Sequence, residues 1–284
     1  MPSIVQHLTF MAGSLARTPF PDQVRAAAQA GFEAITIWPN IWRHARDKLG
    51  LSFADMRAMI RDHGLTLTDT DALREWVPPP RAHSAAFGPI KGGISREDFF
   101  AASVALGATT VIAVHITDVP LNLDRDTEGF ARLCDDAAKH GLRIALEFVP
   151  FSNIPDLATA LKIIDGAGRA NGGLVVDNWH HMRSGGTFDD LRPIPPERVF
   201  TVQLSDGPRL PVHSPVDEAM YHRILPGTGD FDVVGFLRVL GEIGVHCAVG
   251  PELYGAQFEA QAPLDVMKEL IAAARRVLAD AGAA

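Results

Sequence analysis

Four short runs each place an oxygen-bearing side chain inside an otherwise apolar stretch. Glu147 sits in A-L-E-F-V-P, Asp177 in L-V-V-D, Gln203 in T-V-Q-L-S-D and Glu252 in G-P-E-L-Y. A carboxylate in such surroundings costs several kcal/mol unless a cation or good hydrogen bonds meet it. Taken singly, each acid reads as a capping or salt-bridging residue, and the Gln203 amide can simply bond backbone. Brought together, the three carboxylates would repel one another strongly, and one divalent cation resolves that conflict. Oxygen donors of this kind select Mn²⁺ first, with Mg²⁺, Co²⁺ or Zn²⁺ as alternatives, over a thiolate-type zinc site. The expected metal ligands are therefore Glu147, Asp177, Gln203 and Glu252. His180, three positions past Asp177 in V-V-D-N-W-H-H, is placed to bond a substrate oxygen, while His181 reads as a flank. His7 and His115 could face the same pocket. Arg209 and Arg223 could grip a substrate carboxylate or phosphate in bidentate fashion, or be solvated surface. Trp38, Trp42, Trp76, Trp179 and Phe151 could stack on a ring, or simply pack.

These residues converge only if a particular scaffold presents them. Short β-rich runs recur at 4–10, 34–38, 65–69, 110–115, 144–148, 174–177, 200–204 and 248–253. Helical patterns lie between and after them, near 21–30, 52–63, 95–106, 124–140, 154–168, 229–243 and 263–280, with a weaker one near 187–192. Gly31, Gly64, Gly107, Gly141 and Gly244 sit where helices should end, and Ser52 and Ser95 where they should begin. Strand–helix alternation implies parallel pairing with right-handed crossovers, and this many units close into a barrel. The expectation is an α/β chain forming a single (β/α)8 TIM barrel over residues 1–284. An open doubly wound sheet is the alternative, but M-A-G-S-L-A-R after the first strand is not a G-x-G-x-x-G turn. Long loops at 74–93 and 206–228 follow strands and should lie over the C-terminal mouth, where barrel active sites form.

Composition narrows the function classes. The chain has 284 residues, 47% of them hydrophobic, enough for a large core without cross-links. Its two cysteines, Cys134 and Cys247, read as small core residues, which fits a reducing compartment. A net charge of −8 with dispersed acids argues against a nucleic-acid partner. The first residues lack a basic leader and no apolar run is long enough to span a bilayer. A cytoplasmic protein with a small-molecule substrate is expected, and homo-oligomerisation is left open.

With those residues in place, the chain resembles the xylose isomerase-like barrel superfamily of sugar isomerases, ketose 3-epimerases, inosose and dehydroshikimate dehydratases and endonuclease IV. The likeness is carried by G-F-E-A-I-T-I at 31–37, L-E-F-V-P at 146–150, D-N-W-H at 177–180, Q-L-S-D-G-P-R at 203–209, P-G-T-G-D-F-D at 226–232 and P-E-L at 251–253. The resemblance implies that Glu147, Asp177, Gln203 and Glu252 hold the metal and that His180 and Arg209 polarise the substrate. It also implies that Glu147 and Glu252 move the proton on opposite faces of the reacting carbon. The chain departs from the pattern at Gln203, where histidine is usual and dehydroshikimate dehydratases have glutamine, and at Thr36, where a glutamate is common. Endonuclease IV fits least, because Arg223 stands where that family places a histidine ligand.

The chemistry expected is removal of a proton beside a carbonyl, giving an enediolate whose charge the divalent ion stabilises. Return of the proton gives an isomerase or epimerase acting on a small polyhydroxylated, sugar-like or cyclitol-like compound, which is the first expectation. Expulsion of a β-hydroxyl or of a glycosidic group gives a lyase or dehydratase, which is the alternative. A barrel whose metal is structural or absent is the third reading.

Overall fold

The computed structural model describes residues 3–74, 76–77, 94–117 and 119–284. In it, eight strands close into one barrel in sequence order. They are β1 (Val5–Phe10), β2 (Ala34–Ile37), β3 (Thr66–Leu73), β4 (Thr110–Val114), β5 (Arg143–Glu147), β6 (Gly172–Asp177), β7 (Val199–Leu204) and β8 (Cys247–Pro251). Every pairing is parallel, and β8 closes on β1 with Val5 opposite Cys247 and Leu8 opposite Val249. The fold expected from the sequence is the fold observed.

Local chemistry sets the helices that ring the barrel. Ser52 caps Phe53–Asp62 by accepting from the Asp55 N–H, while the Asp55 carboxylate accepts from the Ser52 N–H. Ser95 accepts from the Asp98 N–H in the same way at the start of Arg96–Leu106, and Gly107 ends that helix in the left-handed conformation. The last helix, Pro263–Ala281, buries Val266, Met267, Leu270, Ile271, Ala274, Val277 and Leu278, spacings that form one face. It packs against Phe20–Ala30 and so joins the two ends of the chain. Truncating Leu270 to alanine should cost about 2–5 kcal/mol, since it is fully buried there. Inside the barrel, Ile112, Ala145, Val175 and Phe200 form a separate apolar cluster. Thr201 on β7 also donates to the buried Asp69 of β3, at 3.1 Å.

Besides short helical turns such as Asn178–Arg183, one full helix and the length of β3 exceed the sequence expectation. Pro39–Leu49 is helical, with proline in the first turn and Ile41, Trp42 and Ala45 buried along one face, a spacing the sequence reading passed over. β3 runs on to Leu73 rather than stopping at Asp69. Aspartates disfavour strands, so T-D-T-D-A reads as a loop until the barrel interior takes both acids. The extension brings Asp71 to the rim.

The loop expected at 74–93 falls largely outside the described residues. The one expected at 206–228 is built around Asp206. That carboxylate accepts the N–H groups of Gly207 and Phe231 on Oδ1, at 2.8 and 3.0 Å, and of Gly227 and Gly229 on Oδ2, both at 2.9 Å. An antiparallel bridge between Asp206 and Ile224 closes the base of the loop. A side chain at Gly229 would place its Cβ 2.4 Å from Asp206 Oδ1, so the P-G-T-G-D-F run is a backbone cradle for one buried acid. The consequence is positional: it aims Arg223 into the barrel.

Candidate active site at the barrel mouth

V-V-D-N-W-H-H proves to be a strand running directly into a short helix, Asn178–Arg183, with Asp177 as its N-cap. Asp177 Oδ1 accepts from the N–H groups of Trp179 (2.6 Å) and His180 (3.1 Å). Its other oxygen, Oδ2, meets Arg223 Nη1 at 2.7 Å. The residue therefore caps the helix with one oxygen and holds Arg223 with the other. Asn178 locks this turn to the end of β7 by exchanging two hydrogen bonds with the Ser205 backbone. His180 follows, with Nε2 at 3.5 Å from Glu147 Oε1 and 3.2 Å from Arg223 Nη2. His181 is buried against Phe148 and Phe236 and bonds the Thr187 carbonyl, a packing role.

Around that turn the structure gathers most of the expected residues. Glu147 ends β5, Gln203 lies on β7 next to Asp177 in register, and Glu252 follows β8 directly. All are buried. Glu147, Asp177 and His180 each present a potential ligand atom within 4.8 Å of the others. Glu252 stands outside that group, with Oε2 at 3.8 Å from Arg223 Nη1. His180 thus takes a place among the donors that the sequence reading gave to Glu252.

Arg223 sits at the centre. It is 2% exposed, clasped between the rings of Trp179 and Tyr254 at 4.9 and 5.2 Å, and it faces Asp177, Glu252 and His180. Burial works against the guanidinium's charge, but Asp177, Tyr254 and Glu252 around it hold its pKa above the ordinary value. Burial also opposes the charge of Asp177, yet Arg223 and then His180 hold that carboxyl below its usual range. Glu252 goes the other way: burial, then Glu147 and Asp71, push it well above the carboxylate range, and Arg223 offsets only part of this. One guanidinium does not neutralise Glu147, Asp177 and Glu252, which leaves two negative charges in excess when all three are ionised.

That excess bears on a metal. Gln203 Oε1 is buried without a hydrogen-bond donor among the described residues, and so is His180 Nδ1. An orphaned amide oxygen beside unneutralised carboxylates costs free energy that a cation would recover. The donor set is oxygen-rich with one imidazole within reach, which suits a hard or borderline divalent ion.

The walls of the pocket are aromatic and aliphatic: Trp38, Phe151 and Tyr254 with Val114, Ile116 and Val149. Gly13 makes room for two of them, since a Cβ there would fall 2.4 Å from the Trp38 ring and 2.7 Å from Tyr254. Other expected residues lie elsewhere. Trp42 packs edge-on against Phe99 in the outer core. Trp76 donates to the Val114 carbonyl. Trp179 lies beneath Arg223. His115 turns toward Trp76 and Asp126 instead of the mouth, and His7 lies on β1 without lining the pocket. Arg209 is exposed, its backbone N–H tied to Asp230, and it does not line this pocket. Of the two arginines expected to grip a substrate anion or to be solvated surface, Arg223 is buried between Asp177 and Glu252. Cys134 and Cys247 are buried free thiols, as expected. Among the described residues no helix is long and apolar enough to cross a membrane.

Tyr254, Asp71 and Arg74 line the pocket and were not anticipated as site residues. Tyr254 follows Glu252 in P-E-L-Y and reads as ordinary strand-end packing. Asp71 lines the pocket on β3, where its Oδ2 accepts from the Trp38 indole N–H at 2.9 Å. The alternation of Leu67, Asp69 and Asp71 was the available signal.

Comparison with known proteins places this geometry in context. Residues 24–277 match the family model for the xylose isomerase-like TIM barrel. An inosose isomerase of Bacillus velezensis is 30% identical over 160 residues, covering 54% of this chain and 56% of its own length. A 3-dehydroshikimate dehydratase of Pseudomonas aeruginosa is 25% identical over 244 residues, 84% of this chain but 37% of that protein. The matches thus span about half of the first relative and about a third of the second. Among solved structures, the IOLI protein with a bound zinc atom superposes with a TM-score of 0.82 at 20% identity, covering 96% of this chain and 98% of that one. An L-ribulose 3-epimerase gives 0.70 at 15% identity, covering 97% and 95%. At these identities the structural likenesses show the fold alone.

Proposed function

The chain belongs to the xylose isomerase-like TIM barrel family, and on that premise we propose that it is an isomerase or epimerase acting on a small polyhydroxylated carbonyl compound. The reaction begins with removal of the proton beside the carbonyl. The observation that carries this reading is the convergence of Glu147, Asp177, Glu252 and the donorless Gln203 oxygen at the mouth, against a single buried guanidinium. A divalent ion, Mn²⁺ in first place, would be held by Glu147, Asp177, Gln203 and Glu252, with His180 near enough to join them. When bound, it supplies Lewis-acid polarisation of the substrate's carbonyl oxygen, worth several kcal/mol of barrier.

The chain's own groups do the rest. Glu252, a buried carboxyl at the end of β8 facing the Arg223 guanidinium, is suited to exchange a proton with carbon. Glu147 provides the second carboxylate for the opposite face. His180 and Arg223 reach the pocket with N–H groups for substrate oxygens, and Trp38, Phe151 and Tyr254 present ring faces that exclude water. Arg209 serves substrate binding only if its loop folds inward on the ligand.

A lyase of the dehydratase type is the second reading. It is favoured by Gln203, the residue that dehydroshikimate dehydratases carry at that place, and by the dehydratase match, which runs along 84% of this chain. The test common to both is incubation with Mn²⁺ and either inosose or 3-dehydroshikimate in D2O. Deuterium at the carbon beside the carbonyl in recovered material supports proton abstraction. Its absence from both compounds sinks the proposal.

A further inference from the structure

The base is not the only acid at this mouth. Asp71 reaches the same pocket from β3, which stands across the closed barrel from Gln203 on β7. It is 6% exposed and pinned by the Trp38 indole through Oδ2 at 2.9 Å. Trp38 is itself held in place, since its ring fills the space over Gly13 and packs on Tyr254 with centroids 5.7 Å apart. Nothing in the metal-ligand argument uses Asp71. A carboxyl fixed by one oxygen in a pocket that Arg74, Glu147, His180 and Arg223 also line, beside the Trp38, Phe151 and Tyr254 rings, is placed for a substrate group other than the carbonyl.

We propose that Asp71 is a catalytic acid that protonates a hydroxyl leaving from the carbon β to the substrate carbonyl, so that the site dehydrates a β-hydroxy ketone instead of only exchanging its proton. This rests on the proton-abstraction reading above and names the outcome that follows abstraction. The step balances without a further reactant. A carboxylate base takes the proton from the α-carbon, and the C–H electron pair becomes the new C=C bond. The β-carbon–oxygen bond breaks, and the departing oxygen takes the Asp71 proton to leave as water. Solvent then takes the proton from the base and returns one to Asp71. The net change is a β-hydroxy ketone converted to an unsaturated ketone plus water.

The surroundings agree with that role. Burial and the facing Glu147 push Asp71 up to about 8, with Glu252 and Asp69 of like charge nearby and Arg74 and the Trp38 N–H opposing them. Both effects disfavour the charged carboxylate, the direction a general acid needs.

The experiment separates abstraction from elimination in one sample. Wild-type protein and D71N are incubated with Mn²⁺ and 3-dehydroshikimate or inosose in D2O. Deuterium in recovered substrate is read by mass spectrometry, and the conjugated product by its ultraviolet absorbance. In D71N, elimination should fall at least about a hundredfold, the usual contribution of a positioned acid, while exchange stays within about threefold. W38F, which removes the N–H that fixes Asp71 but leaves the carboxyl, should lower the ratio of elimination to exchange, by less than D71N does. Wild-type elimination rates in D71N overturn the assignment. Equal loss of exchange and elimination in both variants overturns it too, because it would show a general disturbance of the site. Exchange without any conjugated product in wild-type protein removes Asp71's role and leaves abstraction standing. No exchange in wild-type protein removes the underlying reading as well.

Discussion

Replacing Arg223 with methionine tests the electrostatics of the mouth most sharply. Methionine keeps the apolar stem but ends where the guanidinium begins, so the change removes the charge together with the guanidinium's contacts to Trp179 and Tyr254. Breaking one partner out of a buried ion pair costs about 3–5 kcal/mol, because the remaining charge stays buried and unpaired. Here Glu252 already favours its protonated form and can relieve part of the strain, so the lower end, about 3 kcal/mol, is expected. For a chain of this size that corresponds to a fall in Tm of about 6–12 °C. The pH dependence should change sign. In the wild type, Asp177 titrates below its unfolded value of 3.8, so its contribution is complete above 3.8 and is lost as pH falls through the lower folded value. Without Arg223, burial dominates and raises that carboxyl, so stability should decline as pH rises through its new value. Thermal unfolding followed by circular dichroism, in EDTA and again with Mn²⁺, measures all of this. Mn²⁺ should raise the Tm of R223M more than that of the wild type, since the ion supplies the missing positive charge. A variant that melts within about 2 °C of wild type in EDTA and responds equally to Mn²⁺ would refute the reasoning.

Other perturbations have defined outcomes. Glu252→Gln should lower turnover by about 10²–10⁴-fold with the barrel intact, checked by steady-state rates beside a circular dichroism spectrum. Its Tm at neutral pH should not fall, since Glu252 is charged there only at a cost. Asp206→Ala removes the acceptor of four backbone N–H groups and should cost about 3 kcal/mol or more, seen as faster proteolytic cutting between residues 207 and 222. Burial lowers His115 to about 4, so the unfolded chain binds its proton first, and stability should be lost as pH falls from about 6.5 to 4. His115→Gln should flatten that part of the Tm profile.

How far the sequence could be read depends on which forces act locally. The barrel was legible because each strand, helix cap and glycine stop follows from nearby residues, as Ser52 with Asp55 and Ser95 with Asp98 illustrate. Glu147, Asp177, Gln203 and Glu252 were legible as a group because polar residues at strand ends must share the mouth. Asp71 was not, since local strand preference stops β3 at Asp69 and only the closed interior extends it. The standing of the two arginines was equally hidden. Arg223 and Arg209 occupy the same loop, and what separates them is the four-bond grip of Asp206 on a glycine turn some twenty residues away. Arg223 is buried and Arg209 exposed. Long-range hydrogen bonding of this kind has no signature in composition or periodicity.

The most direct measurement is a crystal soaked in Mn²⁺ and recorded at a wavelength where manganese scatters anomalously. A single anomalous peak should fall between the ends of β5 and β8, in contact with Glu147 and Asp177 and within reach of Gln203. A peak elsewhere, or a mouth in which Arg223 still bridges Asp177 and Glu252 at saturating Mn²⁺, would contradict the account.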